Sequence, residues 1–282
     1  MVLLAAGTQE VSKKMDNLMS DKEPKADPEG KATQSGAKEI EQGGSAWLET
    51  LRTIVIAVVI AVGVRTFAYE PFNIPSSSME PTLLVGDYLF VSKLSYGYSR
   101  HSLPFGLPLF SGRILFTKPE VGDVAVFTYP RDNKTDYIKR IVGLPGDKME
   151  VRDGILYIND VPVKRELLSA SEVAKIGYND PVGLLYYETL PSGRRHLIRE
   201  ISDQRPLDNW GPEVVTEGHF FAMGDNRDNS LDSRADVGQV PFENLVGRAE
   251  ILFFSHDGSS PWWEFWTWPS TIRFSRIGDA IE

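Results

Sequence analysis

Hydrophobic and polar positions change rhythm twice along the chain. From about Thr8 to Ser45 the residues are mainly Lys, Asp, Glu, Gly, Ser and Gln. Such a stretch buries too little apolar surface to offset its ordering entropy, so residues 1–45 read as a disordered polar tail. The next stretch, AWLETLRTIVIAVVIAVGVRTFAY, is apolar without interruption from Ile54 to Val64. It lengthens to about twenty residues if Arg52 and Arg65 reach back to the two interfaces, enough for one bilayer crossing at 46–68. Eleven purely apolar residues also suit a buried soluble helix, and Thr66 and Ala68 loosely imitate a small-x-small cleavage site. The polar tail in front of the segment favours an anchor over a secretory signal. Its six Lys lean towards a cytoplasmic N-terminus, since the eight Asp and Glu beside them count for little.

After Tyr69 the pattern shifts to short alternating or β-branched runs, among them DYLFVSKL, DVAVFTY, YIKRIVGL and RAEILFFS, separated by Gly, Pro, Asn and Asp. That rhythm predicts a mainly β, antiparallel body. Asp153-Gly154 and Asn159-Asp160 read as tight hairpin turns. Residues 164–218 are more polar and irregular, which suggests a second β lobe or cap inserted between two parts of a core, 69–163 and 219–258.

Composition narrows the functions open to such a body. The net charge of -9 and the lack of a sustained basic run argue against nucleic acid as a partner. The absence of Cys removes thiol nucleophiles, thiolate metal sites and disulfides together. Residues 259–282 hold PWWEFWTWPSTIRFSR, whose Trp and Arg suit a membrane interface as well as they suit a plug at the bottom of a β fold. HSLPFGLPLFSGRILF, 101–116, is an apolar Pro/Gly-rich insertion that suits a membrane-dipping loop or a flap over the core; the first is favoured.

The chemistry gathers just after the anchor, where EPFNIPSSSMEPTLLVGD holds three serines between Pro75 and Pro81. A serine hydroxyl needs a neighbouring base to become a nucleophile. His101, His196, His219 and His256 lie in unrelated contexts with no triad signature. The alternative base is a lysine kept neutral by apolar surroundings, and DYIKRIVGLPGD supplies one. In a strand, Lys139 shares a face with Tyr137 while Ile138 and Arg140 face the other side, so one cation can be buried near Ser78 and its neighbour solvated or paired.

IPSSSMEPTL, VGDVAVF, YIKRIVGLPGD and MGDNRDNSLDSR, in this order behind an apolar segment, together resemble the bacterial type I signal (leader) peptidase family, from about Phe67 onward. The resemblance implies a two-lobed β catalytic body on one transmembrane helix, and a membrane-bound serine endopeptidase that removes signal peptides from exported preproteins. By that likeness Ser78 is the nucleophile, Lys139 the base, and Ser76 joins the Ser78 backbone N–H in an oxyanion hole. Ser230 matches the residue that orients the lysine. Asp232 and Arg234 match a buried ion pair, with Asp225, Arg227 and Asp228 beside them. Phe72, Ile74, Met79, Leu83, Val126, Asp136, Tyr137 and Ile138 match positions around two shallow pockets for small residues. The same likeness implies a peptide bound extended at edges near Ile74 and near Asp136 to Ile138. The family often has Gly where Ser77 stands; a small polar residue there should leave the nucleophile undisturbed.

DNRDNSLD superficially resembles an EF-hand loop, but the glutamate and flanking helices of that motif are missing, so no metal or organic cofactor is expected. Signal peptides and the lipid bilayer are the expected partners of a monomer at the bacterial inner membrane, its catalytic body on the extracytoplasmic side. The rivals are another Ser/Lys protease of the same fold and a membrane-tethered, non-catalytic β module that binds peptides or proteins.

Overall fold

A computed structural model describes residues 35–103, 111–178, 182–259 and 263–282, with side chains from residue 46 onward. Most of the predicted tail, residues 1–34, and the middle of the Pro/Gly-rich insertion lie outside the described residues. The chain divides into two units, Met1–Ile56 and Ala57–Glu282.

The long helix, α1, runs Ser35–Phe67. It begins ten residues before the predicted end of the tail, because Ala, Lys, Glu, Ile and Gln there are good or acceptable helix formers. Its segment Ala46–Phe67 has a mean hydropathy of 1.9 with none of it buried. An apolar helix that buries nothing against protein is matched to a lipid surrounding. It is the one helix among the described residues long and apolar enough to cross a bilayer.

The second unit is antiparallel β. Its strands are β1 (Tyr69–Asn73), β2 (Asp87–Ser92), β3 (Val124–Thr128), β4 (Asp136–Gly143), β5 (Lys148–Arg152), β6 (Ile155–Ile158), β7 (Val161–Pro162), β8 (Lys164–Leu167), β9 (Leu184–Thr189), β10 (Arg195–Glu200), β11 (Trp210–Val214), β12 (His219–Met223), β13 (Val240–Pro241) and β14 (Leu245–Ser255). Seven of them form one sheet in the order β1-β2-β14-β3-β4-β12-β13. Two smaller sheets, β11-β5-β6-β7 and β10-β9-β8, take the strands between Lys148 and Val214. The sheets therefore part at Lys148 and not at residue 164, because the hairpin β5-β6 pairs with β11 instead of continuing the large sheet.

Both predicted hairpin turns are present. Arg152 pairs with Ile155 and Ile158 with Val161, leaving Asp153-Gly154 and Asn159-Asp160 as two-residue loops. All four loop residues have positive φ, the geometry that matches the twist of the flanking strands. Alternation along β2 and β3 supplies Leu89, Val91, Val124 and Val126 to a dry core shared with Ile74, Met79 and Leu83. A second cluster, built on Val142, Met149, Leu156 and Phe221, fills the space under the smaller sheet of β5 and β6.

Near the C-terminus Trp263, Phe265, Trp266 and Phe274 are each more than half exposed. These four do not plug the β body; they face outward.

Candidate active site

Ser78 sits in a single helical turn, Ser77–Met79, entered from an extended Ser76. Pro75 and Pro81 confine the backbone on both sides, and Met79 is anchored in the core at 0% exposure. The turn is also clamped from the far end of the chain. The Asn226 backbone N–H donates to the Ser78 carbonyl at 3.1 Å, and its side-chain amide donates to the Ser77 carbonyl at 3.0 Å. Asn229 Nδ2 donates to Ser77 Oγ at 2.8 Å. Thus the Ser77 hydroxyl has a partner.

Lys139 lies on β4, whose pairing with β3 carries its side chain toward Ser78. Lys139 Nζ donates to Ser78 Oγ at 2.6 Å and to the Ile138 carbonyl at 2.9 Å. The amine is also 5.6 Å from the centroid of the Tyr137 ring on the same face. Only 3% of the lysine is exposed. Burial lowers its pKa from 10.5 to about 8, a shift that Asp232 and Asp225 oppose from a distance. Those carboxylates are engaged elsewhere. Arg140 grips Asp225 through Nε and a terminal nitrogen at 2.9 and 2.8 Å, and Arg234 grips Asp232 likewise at 3.0 and 2.9 Å. An ammonium at position 139 is thus stripped of water with no carboxylate of its own.

Ser76 Oγ lies 3.4 Å from Ser78 Oγ. Ser230 lines the same cleft as Ser78 and Lys139. It makes no hydrogen bond to the lysine; its buried hydroxyl falls short of good hydrogen-bond geometry with any partner, although Asp232 is close enough to feel it. Gly224 explains how the strands fit here. A Cβ on Gly224 would come within 2.3 Å of Ser230 Oγ and 2.5 Å of the Ser78 carbonyl, so no larger residue allows the two serine segments to approach.

The ion pairs around the loop are buried and tiered. Arg227 forms a bidentate pair with Glu188 and donates to the Gly224 carbonyl, while Arg234 donates to the Arg227 carbonyl. The Arg227 guanidinium holds the Glu188 carboxyl well below the usual carboxylate range against the cost of burial. Asp228 accepts from the backbone N–H groups of Ile201 and Ser202 at 2.7 and 3.0 Å. Buried His196, the one histidine near this network, lies 3.4 Å from Glu188 and 3.9 Å from Asp225, and burial lowers its pKa. No histidine lines the cleft at Ser78.

Two clefts meet at Ser76, Tyr137 and Lys139. One, of about 500 Å³, is walled by Ser78, Leu207, Asn229 and Leu231. The other, of about 230 Å³, is walled by Phe72, Ile74, Val126, Asp136 and Ile138 and is mostly apolar. Met79 and Leu83 lie beneath these clefts, fully buried, and line neither. Strand edges border the smaller cleft: β1 ends the large sheet, and Asp136–Ile138 pair with β3 on one side while pairing with β12 begins only at Arg140.

Sequence reasoning passed over Gly224, Asn226, Asn229 and Glu188. The first three stand inside the MGDNRDNS run, where a glycine and two asparagines mark a turn that must approach another backbone. Glu188, on β9, carried no such signal.

A serine hydroxyl hydrogen-bonded to a buried amine of lowered pKa, in an open cleft, is the arrangement a serine hydrolase needs. Comparison with known proteins narrows the class. Residues 47–254 match the family "Signal peptidase, peptidase S26", and the chain belongs to that family of serine peptidases. Signal peptidase I of Rickettsia typhi is 40% identical over 246 residues, covering 80% of this chain and 90% of the relative, and that of Rickettsia canadensis is 40% identical over 247 residues with the same coverage. A solved signal peptidase I from Enterococcus faecalis is 30% identical, covering 47% of this chain and 97% of that one, with a TM-score of 0.29.

Proposed function

We propose that this chain is a membrane-anchored signal peptidase that cleaves one peptide bond in exported preproteins, with Ser78 as nucleophile and Lys139 as general base. The observation that carries the reading is the 2.6 Å contact between a dehydrated amine and the serine hydroxyl. Neutral Lys139 removes the Ser78 proton as Oγ adds to the scissile carbonyl carbon. The oxyanion that forms is held by the Ser78 backbone N–H and the Ser76 hydroxyl. Lys139 then returns the proton to the leaving amine, freeing the mature protein's new N-terminus. Water, deprotonated by the same lysine, resolves the acyl-enzyme and restores Ser78. Ser230, which lines the same cleft but makes no bond to the amine in the unliganded site, would orient Lys139 by turning its hydroxyl toward it when substrate binds, and the ion pairs Asp225–Arg140, Asp232–Arg234 and Glu188–Arg227 hold the loop that carries Ser230.

The substrate lies extended between the edges at Ile74 and Asp136–Ile138. Small side chains before the cleavage point enter the cleft bounded by Phe72, Ile74, Val126 and Ile138, with Met79 and Leu83 setting its floor from beneath. Helix α1 anchors the body in a bacterial inner membrane, N-terminus inside, so that the site meets preproteins on the extracytoplasmic face as a monomer.

The test is cleavage of a preprotein with an Ala-x-Ala site by the detergent-solubilised full-length protein. Ser78→Ala and Lys139→Ala should each lower the rate on the order of 10⁴-fold while the circular-dichroism spectrum is unchanged. For wild type, kcat/KM should rise tenfold per pH unit below about 8 and level off above it, because the base acts only when neutral. Near wild-type turnover by either variant, or a profile governed by a group near pH 6, sinks the assignment.

A further inference from the structure

Beside the catalytic cleft, three carboxylates from two stretches of the chain converge: Glu200 at the end of β10, Asp208 in the turn before β11, and Asp228 in the helical turn Arg227–Asn229. One oxygen from each lies within 4.8 Å of the other two. Glu200 is 2% exposed and Asp208 0%. Each of the two aspartates commits one oxygen to the backbone. Asp208 Oδ2 accepts from the Arg205 N–H, and Asp228 Oδ2 accepts from the Ile201 and Ser202 N–H groups. Their other oxygens, Asp208 Oδ1 and Asp228 Oδ1, and with them Glu200 Oε2, are removed from solvent and have no hydrogen-bond partner.

Buried acceptors without donors are costly, and three of them together cost more, because their charges repel. No nearby guanidinium bonds to these three oxygens. Arg227 is engaged by Glu188 and the Gly224 carbonyl, and Arg165 by Asp203 and the Gly154 carbonyl. A charge of the opposite sign, small enough to sit among the three, removes both penalties.

We propose that Glu200, Asp208 and Asp228 bind a divalent cation, calcium in first place, which ties the end of β10 and the turn before β11 to the loop that clamps Ser78. All-oxygen carboxylate donors select hard cations. Calcium–oxygen distances are about 2.4 Å, so oxygens up to twice that apart fit around one ion, and calcium accepts irregular geometry where magnesium demands a near-ideal octahedron. The bound ion is structural: Asp228 lies between Asn226, which holds the Ser77 and Ser78 carbonyls, and Asn229, which holds the Ser77 hydroxyl, so an ion on Asp228 fixes the loop that clamps the nucleophile.

The experiment is calorimetric titration of calcium chloride into full-length protein freed of metal with a chelator, with thermal unfolding measured alongside. Wild type should take up one calcium per chain, and at about a hundred times Kd its Tm should rise roughly 5 °C. Glu200→Gln and Asp208→Asn should each weaken binding at least tenfold while keeping a cooperative transition in chelator. Ser78→Ala should bind as wild type does, which separates failure of this site from failure of the serine assignment. The proposal is overturned by no heat and no Tm rise in wild type at millimolar calcium, by both carboxamide variants binding normally, or by a larger Tm rise with magnesium. Should one carboxamide variant fail to fold, the other decides.

Discussion

Lys139 and Arg140 are neighbours on β4, both cations and both almost completely buried, yet their surroundings treat charge in opposite ways. Arg140 meets a bidentate carboxylate in Asp225 and donates to the Gly122 carbonyl, so its guanidinium is compensated in full. Lys139 meets a serine hydroxyl and one backbone carbonyl. Its nearest carboxylates are already taken by Arg140 and Arg234, and the charged amine is the disfavoured form. One strand, by sending alternate residues to opposite faces, makes a permanent ion pair on one side and a titratable base on the other. Burial alone therefore does not decide what a cation does; the presence of a dedicated counter-charge does.

The largest effect should come from making the first position resemble the second. Lys139→Arg places a group that stays protonated at every working pH where a neutral amine is needed, and kcat should fall on the order of 10⁴-fold. Single-turnover kinetics with a preprotein would measure it, and retention of even a tenth of the rate would show that position 139 need not lose a proton. Next is the reverse manipulation at the second position. Asp225→Ala leaves Arg140 buried without its carboxylate and should cost about 3–5 kcal/mol in urea unfolding. A cost under about 1 kcal/mol would mean that water or another acid takes over.

The smallest effect has the opposite sign. With a native-state pKa near 8 against 10.5 for the free side chain, Lys139 takes up its proton less readily in the folded protein than in the unfolded one. The resulting penalty is fully present below about pH 8 and has vanished above 10.5. Lys139→Met should therefore stabilise the inactive protein by roughly 3 kcal/mol at pH 7, and the gain should shrink as pH rises through that window. A gain independent of pH would point to packing instead of charge.

Much of this comparison was legible before any coordinates. Alternation of apolar residues announced the antiparallel body, and Asp153-Gly154 and Asn159-Asp160 announced their hairpins, because these signals are local and depend on a few adjacent residues. The opposed faces of Lys139 and Arg140 followed from strand geometry. The resemblance in four ordered motifs singled out Ser76, Ser78, Lys139 and Ser230, which the structure brings to one cleft. Glu188 escaped notice, since a glutamate on a strand looks solvent-facing until Arg227, thirty-nine residues away, is found opposite it. Met79 and Leu83 look alike in sequence to Ile74 and Val126, yet they lie under the clefts and not in their walls.

The chain alone determined which residue types could act: no thiol, no histidine in a triad context, a serine between two prolines and a lysine on an apolar strand. What only the tertiary structure decided is who is paired with whom. Asp225 goes to Arg140 and Glu188 to Arg227, while Glu200 and Asp208 are left facing Asp228. Pairing follows from three-dimensional proximity between segments far apart in sequence, and in a dry interior that proximity sets whether a charge is quenched, neutralised by losing a proton, or left waiting for an ion.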